Sequence, residues 1–268
     1  MRTLILASIA CVAVGCSTPD TQVAVADAGL AAVPPPMPSP RVLLYTKETE
    51  WVHPSTQVAT RVMLERGRAR GWDVRASNES AVFTAASLAT IDVVVFLISS
   101  GITMNAGERD AFALWIAEGH GWVGVHAASH TDYDWPFMHA LVGASFCCHP
   151  PIMPANLIVE DPSDPIVTHL PRVWARTDEW YTFDRRPEDN PRLKVLLRLD
   201  EASAHPSYPG PDLPAAIAVG HHPLTWRQEL GATRSFYTAL GHTDESWSEE
   251  GFVAMVVKAI EWAARRAP

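Results

Sequence analysis

Trp122-Val-Gly-Val-His126-Ala-Ala-Ser-His130 decides how this chain is read: a short apolar run stops at a histidine, and two alanines follow it. A strand that turns sharply into a helix needs tiny neighbours, because the backbone at the turn crowds its own side chains; this is the shape of a nucleophile elbow. The residue at the turn is His126, where related hydrolases carry Ser or Cys. Imidazole exchanges protons near neutral pH and ligates metals but rarely attacks acyl groups, so the motif points to acid/base or metal chemistry.

Working back from the elbow, Asn105-Ala-Gly-Glu108 has the capping-box pattern, and Phe112, Trp115 and Ile116 mark one face of a helix ending at Gly119. Ile91 to Ile98 is nearly continuous in apolar residues, as in strands covered by helices on both faces. Trp72 to Ser77 and Arg41 to Thr46 read as two more strands. Between them a helix runs from near Ser55 to its stop at Gly71. The pattern is βαβαβαβ, that of a doubly wound, mostly parallel α/β sheet with its site at the carboxyl ends of the strands. Those ends carry His53, Ser99-Ser100-Gly101 and His126. The later strands are expected at 156–160, 194–199, 215–220 and 235–240, and a final helix at 248–266 buries Phe252, Val256 and Ile260.

The first residues read as an export signal: Arg2, an apolar run from Leu4 to Val14, then Gly15-Cys16. Residues 1–16 are too short in apolar length to span a bilayer and are expected to be cleaved. The small residues before Cys16 resemble the lipobox of bacterial lipoproteins, with Ala13 where that motif usually has Leu. Lipidation of Cys16 would hold the protein to a membrane surface at the cell envelope; ordinary cleavage would leave it secreted. Residues 17–40 are rich in Ala, Val, Thr and Pro, a spacer that cannot bury a core. The remainder suits one α/β domain, and a whole-chain composition of 47% apolar and 19% charged residues supplies a core. A net charge of −9 without a Lys/Arg cluster argues against a nucleic-acid partner. Beyond Cys11 and Cys16 the chain has only the adjacent Cys147 and Cys148, too few for a disulfide framework.

Of the eleven histidines, His53, His126, His130, His149, His222 and His242 fall in loops or irregular segments, where α/β folds place function. Ser235 to Leu240 again ends near a histidine, His242. Thr177-Asp178-Glu179-Trp180-Tyr181 sets two carboxylates beside aromatics, whose surface raises a carboxyl pKa toward a general acid's range. Aromatic faces also suit the C–H faces of sugars, and Thr131-Asp-Tyr-Asp-Trp135-Pro136 has the same character. His53, His126 and His149, with an Asp or Glu, also fit a site for a divalent metal such as zinc, although no local ligand spacing supports it.

Together, Gly124-Val-His126-Ala-Ala, Asp132-Tyr-Asp-Trp-Pro136, Thr177-Asp-Glu-Trp-Tyr181, His222-Pro223 with Trp226, and Arg234-Ser-Phe-Tyr-Thr-Ala-Leu-Gly-His-Thr243 resemble the ThuA-like family, named for trehalose utilisation. The resemblance implies that 41–268 is one ThuA-like domain with a flavodoxin-like, class I glutamine amidotransferase-like fold that lacks the amidotransferase nucleophile. It also implies sugar catabolism, with oxidised (3-keto) disaccharides as the associated chemistry. His53, His126, His149, Asp178, Glu179, Tyr181, His222 and His242 fall on the family's motif positions. His130 and the pair Cys147-Cys148 depart from it.

The leading expectation is an exported enzyme acting on a carbohydrate or keto-sugar glycoside by hydrolysis, elimination or isomerisation. His126 and His242 handle protons, with Asp178 or Glu179 as partner. His53, Trp135, His149, Tyr181, His222 and Trp226 hold the sugar. The alternatives are a non-catalytic sugar-binding lipoprotein and a metal-dependent hydrolase.

Overall fold

A computed structural model describes residues 39–204 and 222–264. The proposed signal, most of the spacer, Cys16, the expected strand 215–220 and Arg265-Arg266 lie outside the described residues.

The first half follows the sequence closely: β1 (Arg41–Tyr45), α1 (Ser55–Ala69), β2 (Asp73–Ser77), α2 (Ala85–Leu88), β3 (Val93–Leu97), α3 (Ala106–Ala117) and β4 (Gly121–Val125). All five residues of β3 and of β4 are buried, as continuous apolar runs between helical layers must be. The capping box forms: Glu108 N–H donates to Asn105 Oδ1 at 3.1 Å, and Asn105 N–H to Glu108 at 2.8 Å.

The second half contains α4 (Pro136–Val142), β5 (Phe146–Cys148), β6 (Met153–Val159), β7 (Val173–Asp178), β8 (Thr182–Phe183), β9 (Lys194–Asp200), β10 (His222–Leu230), β11 (Thr233–Thr238) and α5 (Glu250–Ala264). The main sheet has nine strands in the order β2-β1-β3-β4-β11-β10-β9-β6-β7. Its first five are parallel, in the flavodoxin arrangement. The last four extend it by antiparallel pairing, and β5 with β8 forms a separate two-stranded ribbon. The expectations missed β5, β7, β8 and β10. β7 alternates exposed and buried along Val173–Asp178 and so lacks the continuous apolar run that marks a central strand. α5 lays Phe252, Val256 and Ile260 on the core, and no helix among the described residues is long and apolar enough to cross a membrane.

This topology sets the carboxyl ends of β1, β4 and β11 on one rim, with His53, His126 and His242 in the segments that leave them.

Candidate functional site

His126 leaves β4 with φ +55°, a left-handed backbone that a non-glycine residue occupies at a cost of about 1–2 kcal/mol. The elbow is held by its surroundings: Tyr237 Oη donates to the His126 carbonyl at 2.9 Å, and Ala127 and Ala128 are buried beside it. The strained turn aims the imidazole across the rim. Its Nδ1 lies 2.8 Å from the Ala239 carbonyl, which can only accept, so the ring proton sits on Nδ1 and the lone pair on Nε2. Total burial, with His53 nearby, pushes the His126 pKa well below the ordinary histidine value, so the ring is neutral.

Around that lone pair the other groups converge. His242 Nδ1 is 3.1 Å from His126 Nε2, Tyr181 Oη is 2.9 Å from it, and Glu179 Oε2 is 3.6 Å from it. Glu179 Oε2 is also 3.2 Å from His242 Nδ1, and His149 Nε2 is 3.5 Å from Glu179 Oε1. The His53 ring lies 5.0 Å from that of His126 and 5.5 Å from that of His242, between ring centres. Its Nδ1 is 2.8 Å from Glu48, which leaves Nε2 for the centre. One ligand atom from each of His53, His126 and His242 lies within 4.8 Å of the others. The third imidazole of the group is thus His242, where the metal reading of the sequence had His149. His149 stands at the edge, a third exposed, its Nδ1 2.8 Å from the Pro150 carbonyl and therefore protonated.

Burial, and after it the charge of Asp178, raises the Glu179 carboxyl to about 8. Burial, and then His53, lowers His242. A carboxyl that is protonated in the metal-free fold but ionised when unfolded binds more protons when native, so stability falls as pH rises from about 4.5 to about 8. Glu179→Gln is expected to flatten that part of the pH dependence of Tm in metal-free protein, checked by thermal unfolding between pH 5 and 8.

Asp178 is wholly buried and accepts from the backbone N–H of Glu179, Gly241 and His242, from Ser246 and from Arg176. It therefore holds the two turns that carry Glu179 and His242 against each other. Gly241, at φ +111° and with Phe252 2.9 Å from where a Cβ would stand, permits the second turn. His222 bonds the Tyr181 carbonyl through Nε2 at 2.8 Å and Glu201 through Nδ1 at 3.0 Å, bracing the strand that presents Tyr181.

The two tryptophans expected to hold sugar are placed otherwise. Trp226 is 1% exposed, donates to the Val142 carbonyl and packs on Phe183 and Tyr237, so its faces are closed by the core. Trp135 packs on Phe137 below the Arg109 guanidinium. An exposed indole at the rim is Trp51, 44% accessible, tilted against His130 and edge-on to Phe146, which touches Tyr181. Trp51 and Glu48 escaped the sequence reading; the cue was a carboxylate five residues before His53 in one short loop. His130 pairs with Glu50 at 2.8 Å in that loop's strapping and stands outside the three-imidazole group. The Cys147 and Cys148 sulfurs lie 2.9 Å apart and form no disulfide.

The chain has a flavodoxin-like parallel sheet with a histidine, rather than Ser or Cys, at the turn after β4. Residues 41–263 match the ThuA family, described as trehalose utilisation, and the chain belongs to it. Among solved structures, a ThuA-like protein from Bacteroides uniformis is similar at 24% identity and TM-score 0.68, covering 84% of this chain and 92% of that one. A second ThuA-like protein, from Parabacteroides merdae, is 18% identical with TM-score 0.65, over 86% and 94%. A cytoplasmic protein from Salmonella typhimurium shares the fold at 11% identity and TM-score 0.57, over 84% and 100%. No curated protein matches the chain.

Proposed function

We propose that this protein is an exported enzyme that holds one divalent metal ion between His53, His126, His242 and Glu179 and acts on a carbohydrate or keto-sugar glycoside. The observation that carries the reading is the spacing of the donor atoms. A tetrahedral ion with bonds of about 2.0–2.1 Å separates its ligand atoms by about 3.3–3.4 Å. The distances among His126 Nε2, His242 Nδ1 and Glu179 Oε2 are 3.1, 3.2 and 3.6 Å. Two of the imidazoles have their outer nitrogens fixed, by the Ala239 carbonyl and by Glu48, the orienting contacts that metal-bound histidines have. The single lone pair of His126 also faces two donor-capable groups, Tyr181 Oη and His242 Nδ1, a crowding that a cation in the centre would relieve.

Bound there, an ion of the zinc class supplies Lewis-acid polarisation of a carbonyl or hydroxyl oxygen. In this reading His126 and His242 are ligands rather than proton carriers. His149, whose Nδ1 proton is committed to Pro150, offers Nε2 at the edge of the centre as the base for a C–H proton next to a sugar ketone. Tyr181 Oη is placed to donate to an oxygen reaching the centre, and Trp51 gives a sugar an aromatic face. The family's description, trehalose utilisation, supports the choice of a sugar substrate. One observation favours a metal-free version: the raised carboxyl of Glu179 beside a neutral His126 is a ready acid and base pair.

The test is turnover of 3-keto-disaccharides, with unoxidised sugars as controls, combined with elemental analysis of the purified protein. Metal near one ion per chain, with activity lost on chelation and restored by zinc or another divalent ion, is the expected result. Turnover that survives full chelation favours the acid/base version. Binding of sugar without turnover of any substrate makes the protein a binding lipoprotein.

Export and lipid attachment belong to the same proposal, carried by Arg2, the apolar run to Val14 and Gly15-Cys16. Cys16→Ser is expected to move the protein from the membrane fraction to the soluble one, read by fractionation and by loss of labelled acyl chains.

A further inference from the structure

The β5–β8 ribbon carries two reactive side chains that take no part in the three-imidazole group. Cys147 is exposed and Cys148 partly so, and their sulfurs lie 2.9 Å apart, within reach of an S–H···S hydrogen bond. Two thiolates on one ion of the zinc class, with bonds of about 2.3 Å, stand about 3.7 Å apart, so this pair is too close to chelate and is placed to bond sulfur to sulfur. Along the ribbon Phe146 pairs with Phe183 and Cys148 with Thr182, which makes Cys147 the extra residue of a β-bulge. Neighbouring side chains of a regular strand point to opposite faces, and the bulge lets these two meet.

Successive Cα atoms are about 3.8 Å apart across a trans peptide, below the usual disulfide span of about 4.4–6.8 Å, so closing a bond between neighbours has to move the local backbone. Strained and exposed disulfides are the readily reduced ones, which makes such a bond reversible. The residues on either side of the pair reach the centre. The Phe146 ring is 4.4 Å and the His149 ring 5.7 Å from that of Tyr181, between ring centres, and His149 Nε2 is 3.5 Å from Glu179 Oε1.

We propose that Cys147 and Cys148 form a reversible oxidation site, closed to a vicinal disulfide by exchange with a small-molecule disulfide, and that the closed ring shifts Phe146 and His149 against Tyr181. The exposed Cys147 thiol loses its proton and attacks one sulfur of the oxidant, breaking that S–S bond and expelling a thiolate, which takes up a proton. Cys148 Sγ, already in contact, then attacks Cys147 Sγ in the mixed disulfide and expels the second thiolate in the same way. The sum converts two protein thiols and one external disulfide into one protein disulfide and two external thiols. The site stands on the geometry of the ribbon and needs neither a metal nor a sugar at the centre.

In the experiment, reduced full-length protein is exposed to glutathione disulfide, its remaining thiols are alkylated, and the tryptic peptide Asp110–Arg172, which holds Cys147 and Cys148 and neither Cys11 nor Cys16, is weighed. In most wild-type chains that peptide is expected to carry no alkyl group and to be two hydrogens lighter, and dithiothreitol is expected to restore both thiols. Cys148→Ser is expected to stop at the mixed disulfide, with one glutathione on Cys147. Hydrogen–deuterium exchange then compares the two forms of wild type. Amides at 146–149 and 181–183 are expected to differ severalfold in rate, with no such difference in a Cys147→Ser, Cys148→Ser double variant given the same treatment. A wild-type peptide that takes two alkyl groups, retains glutathione or links to a second chain overturns the oxidation site. Equal exchange in the two forms overturns its reach to the centre.

Discussion

His126→Ala is expected to lower turnover of a keto-sugar substrate by at least about a thousandfold and to leave less than about a tenth of an ion per chain. Removing one preorganised group at a reacting centre commonly costs 10²–10³ in kcat, and here the residue would be both ligand and keystone of the elbow. His126 is completely buried, and its Nε2 is the atom nearest to His242, Tyr181 and Glu179 together. Alanine also leaves the Ala239 carbonyl without its imidazole donor. Alanine does not favour the left-handed backbone at this position, so His126→Asn, which tolerates it better, separates chemistry from folding. Asparagine is expected to keep Tm near that of wild type and still lose metal and turnover. Circular dichroism, elemental analysis and steady-state assays read the three quantities side by side. Full activity in either variant sinks the proposed centre.

Asp178→Ala is expected to be the most destabilising single change in the molecule, by about 3–5 kcal/mol, because it strips the partner from a buried charge. Arg176 is almost fully buried, and burial already lowers its pKa. Without Asp178 its nearest remaining carboxylate is Glu249, at 3.4 Å and partly exposed. Three backbone N–H groups, those of Glu179, Gly241 and His242, lose their acceptor in the same change. For a domain of this size the loss corresponds to a fall in Tm of about 10 °C or more, measured by calorimetry. Asp178→Asn keeps an acceptor for the amides but not the charge opposite Arg176, and is expected to fall between. A variant that lost activity while keeping the wild-type Tm would show that Asp178 acts on substrate, against its placement here.

The parallel half of the sheet was legible because its signals are local. β3 and β4 are unbroken apolar runs, and Asn105 with Glu108 announces a helix start three residues apart. In the antiparallel half β6 and β9 were legible, while other strands hid because they are half-polar, like β7, or begin in irregular sequence, like β10 at His222-Pro223. At the site, a histidine after a strand was enough to find His53, His126 and His242, since the carboxyl ends of parallel strands share one rim. Which aromatic faced solvent was not encoded locally. Trp226 and Trp51 look alike as letters, and only the packing of Phe183 and Tyr237 over the first separates them. Asp178 and Glu179 are adjacent in sequence yet face opposite environments, one roofed by backbone amides and the other by imidazoles.

The place of β11 has a consequence for how the chain comes into being. It is next to last among the named elements, yet it lies in the sheet between β4 and β10, bonded in parallel to β4. Until Thr233–Thr238 arrives, a nascent polypeptide holds β4 as a bare hydrogen-bonding edge made of wholly buried residues, an invitation to pair with other chains. Native assembly therefore waits on nearly the whole length, so maturation is post-synthetic and slow to close, and any fragment that stops short of residue 233 is expected to aggregate rather than fold.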